Sequence, residues 1–231
     1  MIAVPAQNIP EPAAEHYCAS CRDCPRLSSY LDDVRRSHPD YHALPVAPFG
    51  DPAARLLIVG LAPGMHGANR TGRPVTGDFA GILLYQTLHR FGFATSAQSL
   101  ARDDGLQLKD CRITNAVKCL PPQNKPEPAE VRRCNRYLQR EIGALPAGAV
   151  VLALGTIAHR AVLLALGIKP SAFAFAHCTR HELPGGLALF DSYHCSRYNT
   201  NTGRLTTAMF EQVFVAITRH LARERTATGV A

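Results

Sequence analysis

Four short apolar runs alternate along this chain with longer segments of helical period, and that rhythm admits few folds. The runs are "ARLLIVGLA" (54–62), "CRITNAVKC" (111–119), "AVVLALGT" (149–156) and "LALFDSYHC" (187–195). Short apolar or β-branched runs of this kind read as buried strands. Helices are expected over 78–93, 127–145, 157–167 and 205–225. The first sets Ile82, Leu83, Tyr85, Leu88 and Phe91 at helical spacing; the second starts acidic; the third is closed by Gly167. Strand and helix in repetition predict an α/β fold, with a parallel sheet covered on both faces. Such sheets take ligands beyond the carboxyl ends of their strands. Three polar loops fall at that edge: "GLAPGMHGANRTGRPVTGD" (60–78), "TNAVKCLPPQNKPEP" (114–128) and "HCSRYNTNTGR" (194–204).

The 231 residues suit one medium domain and carry ample core. No apolar run approaches the ~20 residues of a membrane span. The opening stretch, 1–17, is rich in Pro and Ala and has neither the basic start nor the apolar centre of a secretory signal. It reads as a flexible extension ahead of a single domain over 18–231, in a cytoplasmic protein expected to be a monomer. The net charge of +7 and the pI of about 9.1 favour a polyanionic partner such as nucleic acid.

Eight cysteines without an export signal argue for buried thiols or a metal site rather than a disulfide framework. "CASCRDCPRL" (18–27) carries Cys-x2-Cys twice in succession, and Cys119 and Cys134 flank a Pro-rich turn much later. Two near-adjacent thiolates and two distant ones can close around a soft metal, either zinc or an iron–sulfur cluster.

The three edge loops offer a small set of reactive groups: Asp78 near a helix start, Asn115 at a strand end and His194 after the last strand. Paired carboxylates, the Lys and Ser/Thr of a phosphate loop and a Ser nucleophile elbow are all missing. One carboxylate, one amide and one imidazole suit a reaction whose leaving group is a stable anion. The carboxylate then faces developing positive charge while donors face the departing group.

"GLAPG" after a strand, "HGANRTGRPVTGD", "ITNAVKCLPPQNKP" and "HCSRYNTNTGRLT", in that order, resemble the motifs of the uracil-DNA glycosylase superfamily, and specifically its family 5, or type B. The resemblance runs from about Cys21 to Leu205. It implies the family's three-layer α/β/α sandwich with a central, mainly four-stranded parallel sheet. It also implies a [4Fe–4S] cluster on Cys21, Cys24, Cys119 and Cys134, with Cys18 as a spare. By position, Asp78, Asn115 and His194 match the catalytic residues. Gly60, Leu61, Ala62, Pro63, Gly64, His66 and Val75 fall where the flipped base is held. Arg70, Arg73, Ser196, Arg197, Tyr198, Asn199 and Arg204 are the expected DNA contacts, with Tyr198 as the wedge into the duplex. The implied activity is monofunctional removal of uracil, and of other deaminated bases such as hypoxanthine or xanthine, from DNA, leaving an abasic site. Three positions depart from related motifs. Leu61 replaces the acid of family 4, Val75 replaces a Phe that would stack on the base, and "HCSR" replaces His-Pro-Ser-Pro. Two other readings of the residues are a redox-sensing iron–sulfur module that binds nucleic acid without releasing a base, and a zinc-stabilised nucleotide hydrolase.

Overall fold

A computed structural model describes residues 17–227. Its sheet has six strands in the order β1-β3-β2-β4-β6-β5. The four inner strands are β3 (Cys111–Asn115), β2 (Leu56–Gly60), β4 (Val150–Leu154) and β6 (Leu187–Ser192), all parallel to one another. These are the four apolar runs of the sequence. Two antiparallel edges extend the expected sheet: β1 (Phe49–Gly50) beside β3, and β5 (Arg180–Leu183) beside β6.

Alternation along the inner strands divides the core between the two faces. Leu56, Ile58, Ile113, Val150, Leu152 and Phe190 pack against α3 (Phe79–Arg90), which follows the single-turn α2 (Ala68–Thr71), and against the long α7 (Thr207–Ala227). Leu57, Val59, Val151, Ala153 and Leu189 point the other way, onto α4 (Pro128–Gly143) and α5 (Thr156–Ala165). The outcome is the three-layer sandwich. α4 begins on Pro128 behind a capping box in which Glu127 and Glu130 each accept the other's backbone N–H.

A third apolar cluster lies off the sheet. α1 (Pro25–Ser37) places Leu27, Leu31 and Val34 on one face and buries them with Val117, Cys119, Cys134 and Tyr137. The extension expected over 1–17 lies outside the described residues except for Tyr17, whose hydroxyl donates to the Pro45 carbonyl. Among the described residues no helix is long and apolar enough to cross a membrane.

Candidate active site and cysteine centre

From central β2 the chain crosses first to β3 on one side, then back over β2 to β4 on the other. This reversal opens a crevice at the carboxyl ends of the strands. A cleft of about 1090 Å³ lies there, lined by Gly60, Asn115, Asp78 and His194 together with Arg70 and Arg197.

Two glycines make room for the polar side chains. Gly60 ends β2 and pairs in register with Asn115, the last residue of β3. A Cβ on Gly60 would lie 2.5 Å from the Asn115 Oδ1, so only glycine leaves space for this buried amide. Asp78 caps α3, its Oδ1 accepting the Gly81 N–H at 3.0 Å. A Cβ on Gly67 would meet the Asp78 Oδ2 at 2.5 Å and the Asp78 Cβ at 2.7 Å. Because the second contact involves the root of the side chain, no rotation relieves it. Gly67→Ala is therefore expected to displace the carboxylate and cost about 100-fold in turnover. Steady-state kinetics of a folded Gly67→Ala variant check this; full activity would show that Asp78 tolerates the shift.

His194 follows β6 by two residues. Burial pushes its imidazole below the usual histidine range, against the opposing pull of the Asp78 charge. The ring is held neutral beside a carboxylate in one cleft. Asn199 Nδ2 donates to the His194 carbonyl at 2.8 Å, and Ser196 Oγ caps the short α6 (Arg197–Asn201) by accepting the Asn199 N–H. Asn199 and Ser196 thus shape the loop that presents His194, and Ser196 also lines the cleft.

The remaining predicted residues divide. Leu61, Ala62, Gly64, His66 and Val75 line the cleft, whereas Pro63 is buried and does not. His66 is exposed, with its Nδ1 2.8 Å from the Tyr41 hydroxyl. Val75 has φ +51°, a left-handed conformation that a β-branched residue adopts only under strain. Arg197 lies over the Phe79 ring at 5.1 Å and Arg204 over Tyr193 at 4.7 Å, while Tyr198 stands out in solvent. Arg73 is a correction. It is buried and donates to both oxygens of Asp104 at 2.9 and 2.6 Å, to Ser99 Oγ at 2.8 Å and to Thr76 Oγ1 at 3.0 Å. All its donors are spent inside the protein, so it reaches no phosphate. One cleft wall, the face of α3 that carries Phe79, Ile82 and Gln86 at i, i+3 and i+7, holds two site residues that the sequence did not bring out, Ile82 and Gln86; Phe79 is the aromatic nearest in sequence to Val75. That spacing was their available signal.

The cysteine centre lies beside this site. Cys21 and Cys24 before α1, Cys119 four residues past Asn115, and Cys134 on α4 line one cavity with Cys18. All are free thiols. Two donors point at sulfur: the Lys118 N–H to Cys134 Sγ at 3.3 Å and Arg136 Nη2 to Cys21 Sγ at 3.7 Å. Burial pushes the Cys134 thiol up to about 11 and raises Cys119 further, with neighbouring thiols adding to the rise at both. A tetrahedral zinc, with Zn–S near 2.3 Å, would draw its sulfurs to about 3.8 Å of one another. Among the described residues the trio of candidate ligand atoms within 4.8 Å of one another is instead His159, His181 and Asp191. That trio is tied together by hydrogen bonds. His159 has Asp191 Oδ1 at 2.8 Å on Nδ1 and the Phe173 carbonyl at 3.1 Å on Nε2, and His181 Nε2 lies 3.1 Å from Asp191 Oδ2. Burial pulls the His159 pKa down, but the Asp191 hydrogen bond and charge outweigh it and the net shift is upward.

A doubly wound α/β protein with a lone carboxylate at its crevice is the class that fold and cleft define. The model of the uracil DNA glycosylase superfamily matches residues 47–218, and the chain belongs to that superfamily. It is 48% identical to a type-5 uracil-DNA glycosylase of Thermus thermophilus, over 87% of this chain and 93% of that one. Type-5 uracil-DNA glycosylases of Pyrobaculum aerophilum (42% identical, 84% of this chain, 86% of that one) and Mycobacterium leprae (41%, 93% and 96%) are similar over comparable lengths.

Proposed function

We propose that this chain removes uracil from DNA, and that Asp78, Asn115 and His194 carry the reaction. The observation that bears most weight is their convergence in one cleft that also holds Arg70 and Arg197. The glycosidic carbon is inaccessible in a stacked duplex, so the nucleotide is flipped into the cleft. There the amide of Asn115 and the neutral imidazole of His194 donate to the base as the C1′–N bond stretches. The bonding electron pair leaves with the base. Asp78 faces the cationic sugar and orients the water whose oxygen bonds to C1′; the water's proton is lost to the carboxylate, which returns it to solvent, and the departed base anion takes up one proton from solvent. The products are free base and an abasic site. Tyr198, exposed beside Arg197, is the wedge, and Arg70, Arg197 and Arg204 meet phosphates. The three named relatives are all base-removing enzymes by name, which lends no support to a sensor without base release.

Cys21, Cys24, Cys119 and Cys134 would hold a [4Fe–4S] cluster. The four-thiol donor set gathered on one cavity and the N–H groups aimed at sulfur support this reading. When bound, the cluster supplies structure, tying the segment before α1 to the loop that begins at Asn115. Metal and sulfide analysis of the purified protein tests this: about four irons per chain are expected, and zinc in their place would overturn it.

The activity is tested on a duplex carrying one uracil, with hypoxanthine and xanthine duplexes beside it. Free uracil and an unbroken abasic strand are expected; no base release, or direct strand scission, would overturn the reading. Because the folded pKa of His194 lies below the ordinary 6.5, its neutral donor form persists as pH falls through that value. The rate should hold down to about pH 6.5 and decline only below it; a rate that instead rises as pH falls, in a step that disappears on His194→Gln, would show that the charged ring is the working form.

A further inference from the structure

Leu100 and Ile82 are two large apolar side chains left in solvent on the cleft wall, 65% and 54% exposed. Burying a side chain of this kind is worth roughly 1.5–3 kcal/mol, so both offer an apolar contact that the folded chain leaves unused.

Leu100 is rigidly mounted. Its N–H donates to Asp104 Oδ2 at 2.8 Å, and the Ala101 N–H reaches the same oxygen at 3.3 Å. Asp104 is gripped by both terminal nitrogens of buried Arg73, which also holds Ser99. The Ser99 carbonyl accepts the Gly77 N–H at 3.2 Å, one residue before Asp78. The loop that lifts Leu100 into solvent and the loop that carries Asp78 therefore share one anchor. The arginine that cannot reach DNA instead fixes an apolar side chain at a set place relative to the catalytic carboxylate.

We propose that Leu100 is a second wedge. It enters the base stack of double-stranded DNA beside the extruded nucleotide, with Ile82 as its apolar neighbour on the cleft wall. Arg70 and Arg197 on the same cleft attract the flanking backbone, which matches an apolar tip to a polyanionic duplex. A single strand has no complementary stack to enter, so this contact acts on duplex substrate. The proposal rests on the glycosylase reading of the cleft.

The test uses the full chain and its Leu100→Ala and Leu100→Met variants. Removing an exposed side chain leaves the melting temperature unchanged, so folding does not confound the result. Uncleavable duplexes carry 2′-fluoro-deoxyuridine, with 2-aminopurine opposite the lesion or on either side of it. The unaltered protein is expected to raise the fluorescence of at least one duplex. Leu100→Ala should lose that rise and Leu100→Met should keep it. In kinetics, the ratio of kcat/KM on duplex to kcat/KM on single-stranded uracil DNA should fall at least tenfold for Leu100→Ala. An unchanged ratio with unchanged fluorescence, or equal losses on both substrates, would overturn the wedge. If the unaltered protein releases no uracil from either substrate, the glycosylase reading itself fails, an outcome distinct from loss of the wedge alone.

Discussion

Asp78→Asn is expected to lower the rate of base release by about 10³-fold while leaving the melting temperature nearly unchanged. The two halves of this result come from the two tasks of one side chain. Asp78 Oδ1 caps α3 by accepting the Gly81 N–H, and asparagine caps as well as aspartate does. The amide is also of equal size, so the tight packing against Gly67 survives. Only the negative charge is lost, and with it the partner proposed for the cationic sugar. A second readout is independent of turnover. The Asp78 charge is what opposes the burial-driven fall of the His194 pKa, so in Asp78→Asn that pKa should fall further, as followed by NMR titration of the imidazole. Retention of more than a tenth of the activity would move the chemistry elsewhere. A collapse in melting temperature would mean that the carboxylate is mainly structural.

Lys118→Met should destabilise the fold by about 3–5 kcal/mol, a drop in melting temperature on the order of 10 °C. Lys118 and Glu141 form an ion pair at 2.9 Å with both side chains almost wholly out of water. The ammonium also donates to the Thr114 hydroxyl and, at 3.0 Å, to the Asn115 carbonyl. Glu141 Oε2 has no hydrogen-bond partner among the described residues, so Glu141 relies on its other oxygen. Removing the lysine strands that carboxylate in an apolar layer, and this uncompensated charge is the main cost. The double variant Lys118→Met/Glu141→Leu should regain most of the loss, because it removes the stranded charge along with its partner. Chemical denaturation of the single and double variants measures both. A double variant no more stable than Lys118→Met would show that the hydrogen bonds to Thr114 and Asn115, rather than the buried charge, carry the energy.

Much of this molecule could be read from its sequence because burial on both faces makes a strand apolar throughout. The runs at 56–60 and 150–154 have that character, 187–192 keeps it over its first four residues, 111–115 carries only a β-branched centre, and all four are inner strands. β5 reads Arg-His-Glu-Leu, since an edge strand with one wet face keeps no such signature. β1 is only two residues long and leaves no pattern at all. α1 was legible but passed over: Pro25 at its first turn and Leu27, Leu31 and Val34 along one face were overshadowed by the cysteines before it. In the candidate site, the residue types and the loops that carry them were visible. The fit of Gly60 to Asn115 was not, because it depends on the register between β2 and β3. Arg73 misled for a related reason. An arginine in a Gly-rich basic loop looks solvent-facing until Asp104, 31 residues away, is seen to claim it.

The cysteines that share one cavity stand far apart along the chain, three ahead of α1, one after β3 and one within α4. During synthesis Cys21 and Cys24 leave the ribosome long before their distant partners, and the proposed set with Cys119 and Cys134 is incomplete until α4 has been made. A cluster held by this proposed set would therefore be acquired only after Cys134 has been made. Until then the early thiols stay open to oxidants and to competing ions, which would make loading a late event and a vulnerable one in the life of each molecule.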